Sequence, residues 1–182
     1  MIVTHAKQPT MIEERVIDEH LVQQAAAGDR AAFGELYSRY AHVVHAILLA
    51  RVRRHEAEDL VQDVFLTAMS RLAQLRDSTS FSSWICTIAR NRAHDFHRAQ
   101  PALDEIREDH LQSRPAPPEA MSALEAIRQL PEAYRETLML RLVEGMTGPE
   151  IALRTGLTHE SVRVNLCRGM KILREKIEGR QV

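Results

Sequence analysis

The sequence predicts an all-α chain built as two small helical domains joined by a flexible acidic linker. Three observations predict this. Apolar residues recur at helical spacing through most of residues 18–98 and 121–182. Glycine and proline number only seven each, and β-branched runs that would read as strands are few. Between the two periodic stretches, residues 99–120 lose the period and carry Pro101, Pro115, Pro117 and Pro118 among Asp104, Glu105, Glu108, Asp109 and Glu119. A chain of 182 residues holds one ordinary domain or two small ones, and 45% hydrophobic content supplies two cores.

A net charge of −1 and a pI near 6.8 exclude a blanket polycation, so any nucleic-acid surface must be local and offset by acidic stretches. The two cysteines, Cys86 and Cys167, lack a CxxC partner and read as reduced thiols. No run reaches membrane-span length, and the first residues lack the basic-then-apolar order of a signal peptide. A cytoplasmic protein with no membrane insertion of its own is expected, with residues 1–17 as a disordered tail.

The first helix is predicted to begin near Asp18 and to carry Leu21, Val22 and Ala25 up to Gly28. Asp29 then caps a longer helix whose Phe33, Leu36, Tyr37, Tyr40, Val44, Ile47 and Leu48 share one face. Over residues 56–75, Leu60, Val61, Val64, Phe65, Ala68, Met69, Leu72 and Leu75 form an apolar stripe, with Glu58, Asp59, Gln62 and Asp63 outside it. A polar loop, Arg76, Asp77, Ser78, Thr79 and Ser80, leads into a helix that mixes Phe81, Trp84 and Phe96 with Arg90, Arg92, Arg98, His94 and His97. Aromatic and basic residues together suit unpaired bases and phosphates, while Trp84 itself reads as core. The second domain opens with Met121, Leu124, Ile127 and Leu130, restarts with Pro131 at the first helical position, and runs through Tyr134, Leu138 and Leu142 to Gly145.

Residues 147–174 prescribe both a shape and a partner. Ala152, Gly156 and Val162 stand at helix-turn-helix intervals: a small residue where helices touch, a glycine for a left-handed turn, and a buried branched residue on the second helix. Thr147 and Glu150 make a T-x-x-E capping box, and Thr158 can cap the second helix. One side of that helix carries Val162, Leu166, Gly169, Met170, Leu173 and Ile177. The other carries Arg163, Val164, Arg168, Lys171 and Arg174, with Val164 at its centre, Ser161 and Asn165 on the flank near the start, and Thr158 and His159 at the amino end. Arginine and lysine neutralise phosphates, Ser161 and Asn165 reach base edges, and Val164 suits a thymine methyl.

In order, these segments resemble the ECF, or group IV, sigma factors, small two-domain initiation subunits of bacterial RNA polymerase. The matching strings are EAEDLVQDVFLTAM at 56–69, FSSWICTIARNRAHDFHR at 81–98 and LPEAYRETLMLRLVEGMTGPEIALRTGL at 130–157. The resemblance implies that residues 18–98 are sigma region 2 and residues 121–182 are sigma region 4, a helix-turn-helix domain. It implies docking of Glu58, Asp59, Gln62 and Asp63 on the beta-prime clamp helices of core polymerase. It implies melting of the promoter minus-ten element by Arg76, Asp77, Ser78, Thr79, Arg90, Asn91, Arg92, Asp95 and Arg98. Region 4 would read the minus-thirty-five duplex through the basic helix face and ride on the beta-flap tip through Leu138 and Leu142. An anti-sigma factor is an implied further partner, and the acidic linker would thread toward the RNA exit path. At Arg163, Val164 and Asn165 the sequence departs from the V-K-S-R-like string usual in the family, so promoter preference does not carry over.

No catalytic constellation, cofactor site or metal site is expected. His42 with His45, and His94 with His97, are spaced i and i+3 but lack a neighbouring ligand set, and read as solvated or DNA-facing. The alternatives are an ordinary helix-turn-helix regulator and a sigma-like decoy for an anti-sigma factor. The basic face of the last helix argues against the decoy.

Overall fold

The computed structural model describes residues 11–99 and 118–178, and every regular element among them is helical. The first domain comprises α1 (Met11–Ala26), α2 (Arg30–Leu49), α3 (Arg54–Arg71) and α4 (Phe81–Ala99), with short 3-10 turns at Leu72–Gln74 and Ser78–Ser80 between the last two. The second comprises α5 (Pro118–Arg128), α6 (Glu132–Leu142), α7 (Gly148–Thr155) and α8 (His159–Glu178). Most of the expected linker lies outside the described residues.

Local chemistry sets the boundaries. Asp29 caps α2 by accepting from the backbone amides of Ala31 (2.8 Å) and Ala32 (3.2 Å). The Thr147–Glu150 capping box forms as expected: Thr147 N donates to Glu150 Oε2 at 2.7 Å, and Glu150 N donates to Thr147 Oγ1 at 3.4 Å. Gly156 closes α7 at φ 74°, the left-handed conformation that glycine adopts without steric cost. Thr158 caps α8, its Oγ1 accepting from Ser161 N at 3.1 Å.

Three expectations shift. α1 begins at Met11 rather than near Asp18. The added stretch, about two turns, has no apolar stripe to announce it, since Val16 and Ile17 are exposed, and it is held by an ion pair from Glu14 to Arg154 of the second domain. Pro131 sits just before α6, at the cap, instead of on its first helical residue. Met69 lies on the open side of α3 at 56% exposure, because the helix packs on a narrower stripe of Leu60, Val61, Val64, Phe65 and Ala68.

The first core gathers Leu36, Tyr40, Val43, Val44 and Ile47 of α2 with Val64 of α3 and Phe81, Ile85 and Ala89 of α4. Trp84 is half-buried beside Phe81, their ring centroids 5.9 Å apart, in keeping with its reading as a packing residue. The second core joins Ile127, Leu130, Leu138, Met139, Leu140, Ile151, Val162 and Leu173. α6 and α8 approach closely at Gly169, where an added Cβ would lie 3.0 Å from Leu138 Cδ1 and from Tyr134 Cβ. The buried residues of the two domains form one continuous cluster, so the domains are packed together.

Candidate nucleic-acid interface

The basic face of α8 is built as the spacing requires. Val162, Gly169 and Leu173 are buried against α6 and α7, which turns Ser161, Arg163, Arg168, Lys171 and Arg174 to solvent. Val164, expected at the centre of that face, is instead half-buried at its edge, as is Asn165, because both lie closer to the packed side of the helix than the exposed cations do. Thr158 and His159, at the amino end, are exposed. The face therefore presents a row of cations with short polar groups at its amino end, the arrangement by which a recognition helix meets a major groove.

The loop before α4 is held by Asp77. Its carboxylate accepts from Thr79 N at 3.0 Å and from Thr79 Oγ1 at 2.7 Å, and these hydrogen bonds keep its pKa below the usual aspartate range. Arg76, Asp77 and Thr79 are exposed, while Ser78 is half-buried and lies within 3.5 Å of Gln23 Nε2 on α1. On α4, Asn91, Arg92, Asp95 and Arg98 are exposed. Arg98 Nη2 pairs with Asp95 Oδ1 at 2.6 Å.

Arg92 and Arg90 face in different directions. Arg92 Nη2 reaches Asp63 Oδ2 of α3 at 2.6 Å, so the acidic face and the aromatic-basic helix are joined by a half-exposed ion pair. Glu58, Asp59 and Gln62 remain exposed on the same side of α3. Arg90 turns into the junction with the second domain and makes a two-point contact with Glu136 of α6. Nε donates to Oε2 at 3.0 Å and Nη2 to Oε1 at 2.6 Å. Its hydrogen bonds to this carboxylate raise the Arg90 pKa above its ordinary value.

Leu138 is not a surface group. It is fully buried and packs on Gly169, which removes it from any docking face; Leu142 at 48% and Val143 at 43% exposure are the apolar groups α6 and its end present to solvent. The histidine pair on α2 is also not simply solvated. His42 Nδ1 lies 3.2 Å from Glu144 Oε2 and His45 Nδ1 lies 3.5 Å from Glu144 Oε1, and the contact with His45 leads in holding the Glu144 carboxyl below its usual range.

Residues that sequence reasoning did not single out for a role converge at the same junction. Arg51 Nη2 donates to Glu132 Oε1 at 2.8 Å and to Glu136 Oε2 at 3.0 Å. Arg154 of α7 inserts between Asp18 (2.9 Å) and Glu14 (3.0 Å), with its guanidinium carbon 5.1 Å from the Tyr40 ring centroid. Tyr40 donates its hydroxyl to Asp18 Oδ2 at 2.6 Å, and burial followed by the Asp18 charge pushes its pKa well above the ordinary value. Among the described residues, no group of three or more His, Cys, Asp or Glu side chains is placed to hold a metal ion. Among them also, no helix is long and apolar enough to cross a membrane.

Comparison with known proteins fits this arrangement. The description "Sigma-70 region 2" matches residues 36–101, and "Sigma-70, region 4" matches residues 120–173. The RNA polymerase sigma factor CarQ of Myxococcus xanthus is 34% identical over 157 residues, covering 81% of this chain and 90% of its own. This chain belongs to the sigma-70 family.

Within the family it is an ECF sigma factor. The ECF RNA polymerase sigma-E factor of Haemophilus influenzae is 29% identical over 91% of this chain and 97% of its own. A probable RNA polymerase sigma factor, RfaY of Xanthomonas campestris, is 34% identical over 87% of this chain, which spans 43% of that longer protein. Among solved structures, CnrH in complex with the cytosolic domain of CnrY superimposes with a TM-score of 0.62 at 25% identity, covering 90% of this chain and 98% of CnrH. The Bartonella quintana sigma factor RpoE, solved with the anti-sigma factor NepR, shares the fold at 19% identity and a TM-score of 0.57, over 80% of this chain and 96% of that one. An ordinary helix-turn-helix regulator has no use for the region 2 half, so the sigma-factor match decides against that reading.

Proposed function

We propose that this ECF sigma factor acts without catalysis of its own, in the cytoplasm, by docking on core RNA polymerase and directing it to a two-part promoter. The exposed acidic face of α3, with Glu58, Asp59, Gln62 and Asp63, is the contact for the beta-prime clamp helices. Leu142 and Val143 are the contact for the beta-flap tip. The capped loop 76–79 together with Asn91, Arg92, Asp95 and Arg98 holds the opened minus-ten strand, with Arg90 joining them once it is released from Glu136. Extruded bases need a fixed loop and cations near the backbone, and Asp77 supplies the first by pinning Thr79. The α8 face reads the minus-thirty-five duplex, with Arg163, Arg168, Lys171 and Arg174 on phosphates and Ser161, Val164 and Asn165 toward bases. Thr158 and His159 lie at its amino end.

The observation that carries this reading is the pairing of two surfaces in one chain: a solvent-facing basic helix-turn-helix and, in the other domain, an acidic helix beside an aromatic-basic one. A protein that binds an anti-sigma factor and releases polymerase sites on command suits the same architecture. The complex of the sigma factor RpoE with the anti-sigma factor NepR supports such a partner here.

Run-off transcription with core polymerase and a promoter library tests the proposal. Initiation at a subset of promoters above core alone is expected, and no promoter rising above that background overturns it.

A further inference from the structure

The junction between the two domains is lined by groups that a DNA backbone would otherwise use. Glu136 is buried and bridges Arg51 and Arg90, with contacts of 2.6 to 3.0 Å, and Glu132 adds a second carboxylate to Arg51. Across the interface the polarity reverses, because the cation is now in the second domain: Arg154 of α7 enters the carboxylates of Asp18 and Glu14. α7 is the first helix of the helix-turn-helix, the one that crosses the phosphate backbone in this motif. The turn itself is covered, since a Cβ built on Gly156 would lie 2.9 Å from Ser83 Cβ of α4. Asn165, on the reading face of α8, lines a cleft together with Arg51, Arg90 and Glu136.

A guanidinium presents one planar fork that fits a carboxylate and a phosphate equally well. It stays protonated at any physiological pH, so such a contact is released by a competing anion or by neutralising the carboxylate. We propose that the free chain is held shut by a two-way carboxylate clasp, with Glu136 standing in for a nucleic-acid phosphate on Arg90 and Asp18 with Glu14 standing in for one on Arg154. DNA and the opposite domain then compete for the same two arginines, and the closed protein binds DNA weakly until the clasp opens. The masking half of this inference rests on the proposed DNA role of Arg90; the closure does not.

The test uses the full chain carrying a donor and an acceptor dye, one on the exposed native Cys167 and one on a Gln24→Cys substitution in α1. Cys86 is buried, and burial together with nearby Glu136 pushes its thiol pKa up to about 12, so it does not compete for label. Glu136→Gln keeps shape but removes the carboxylate that bridges Arg90 and Arg51, leaving Arg51 with Glu132 alone. Arg154→Gln cuts the second contact from the other side. Each is expected to lower energy transfer, with about a tenfold rise in the open-to-closed ratio, the scale of a lost charged hydrogen bond. E136Q is also expected to bind a short single-stranded oligonucleotide several-fold more tightly than the parent chain. Unchanged transfer in both variants overturns the clasp. Reduced transfer with unchanged oligonucleotide affinity overturns the masking. Wild-type initiation by holoenzyme carrying Arg90→Ala would instead remove the DNA role of Arg90 while the transfer result still decides the closure.

Discussion

Leu138 and Leu142 stand one helical turn apart on α6 and have opposite fates. Leu138 is sealed under Gly169 of α8, whereas Leu142 keeps nearly half its surface in solvent. Truncating a sealed leucine loses its transfer free energy and leaves a cavity, so Leu138→Ala is expected to cost about 2–5 kcal/mol of stability in the second domain. Leu142→Ser is expected to change stability by less than about 0.5 kcal/mol, as surface substitutions do, while weakening the docking of region 4 on polymerase. Chemical denaturation of the two variants checks the first pair of values, and a core-binding assay checks the last. The periodicity of α6 marked both leucines as apolar and could not separate them, because what distinguishes them is where α8 crosses, and that crossing depends on a glycine distant in the chain.

At the scale of elements, α3 and α8 divide the work between polymerase and promoter. The acidic face of α3 is not uniform: Asp63 is tied to Arg92, whereas Asp59 is exposed and makes no side-chain contact of that kind. Asp59→Lys is therefore the clean probe of the clamp contact, expected to weaken core binding with the helical circular-dichroism signal unchanged. Asp63→Lys would also release Arg92 and disturb the minus-ten surface. On α8, Val164→Ala is expected to alter minus-thirty-five preference, and Lys171→Ala to weaken all sequences alike and reduce the salt slope of binding by about one. Competition binding against a set of duplexes separates the two patterns. The helices, their caps and the turn at Gly156 were legible in the sequence because each depends on residues within a few positions of one another. The early start of α1 was not, since its anchor Glu14 finds Arg154 across 140 residues.

For the whole molecule the governing feature is that charge is exchanged between domains. Arg51 meets Glu136 across 85 residues and Arg154 meets Asp18 across 136, separations that no local pattern reports, which is why the packed arrangement of the domains could not be read from the sequence. It has a consequence in acid. Glu132 is held below the usual glutamate range chiefly by its hydrogen bond from Arg51, and Glu144 chiefly by its contact with His45, with His42 beside it. A carboxyl whose pKa is lower in the packed form than when released stabilises packing fully above its released value and loses that contribution as pH falls through the lowered one. Domain closure is thus expected to hold from neutral pH down to about pH 5 and to weaken as pH falls from the released carboxylate range near 4 through the lowered values of Glu132 and Glu144. Energy transfer between the dyes on Cys167 and position 24, followed against pH in parallel with helical content, measures this directly. Loss of transfer ahead of loss of helix is the expected order, because the junction combines its apolar packing with ionised carboxylates, whereas the interior of each domain is predominantly apolar.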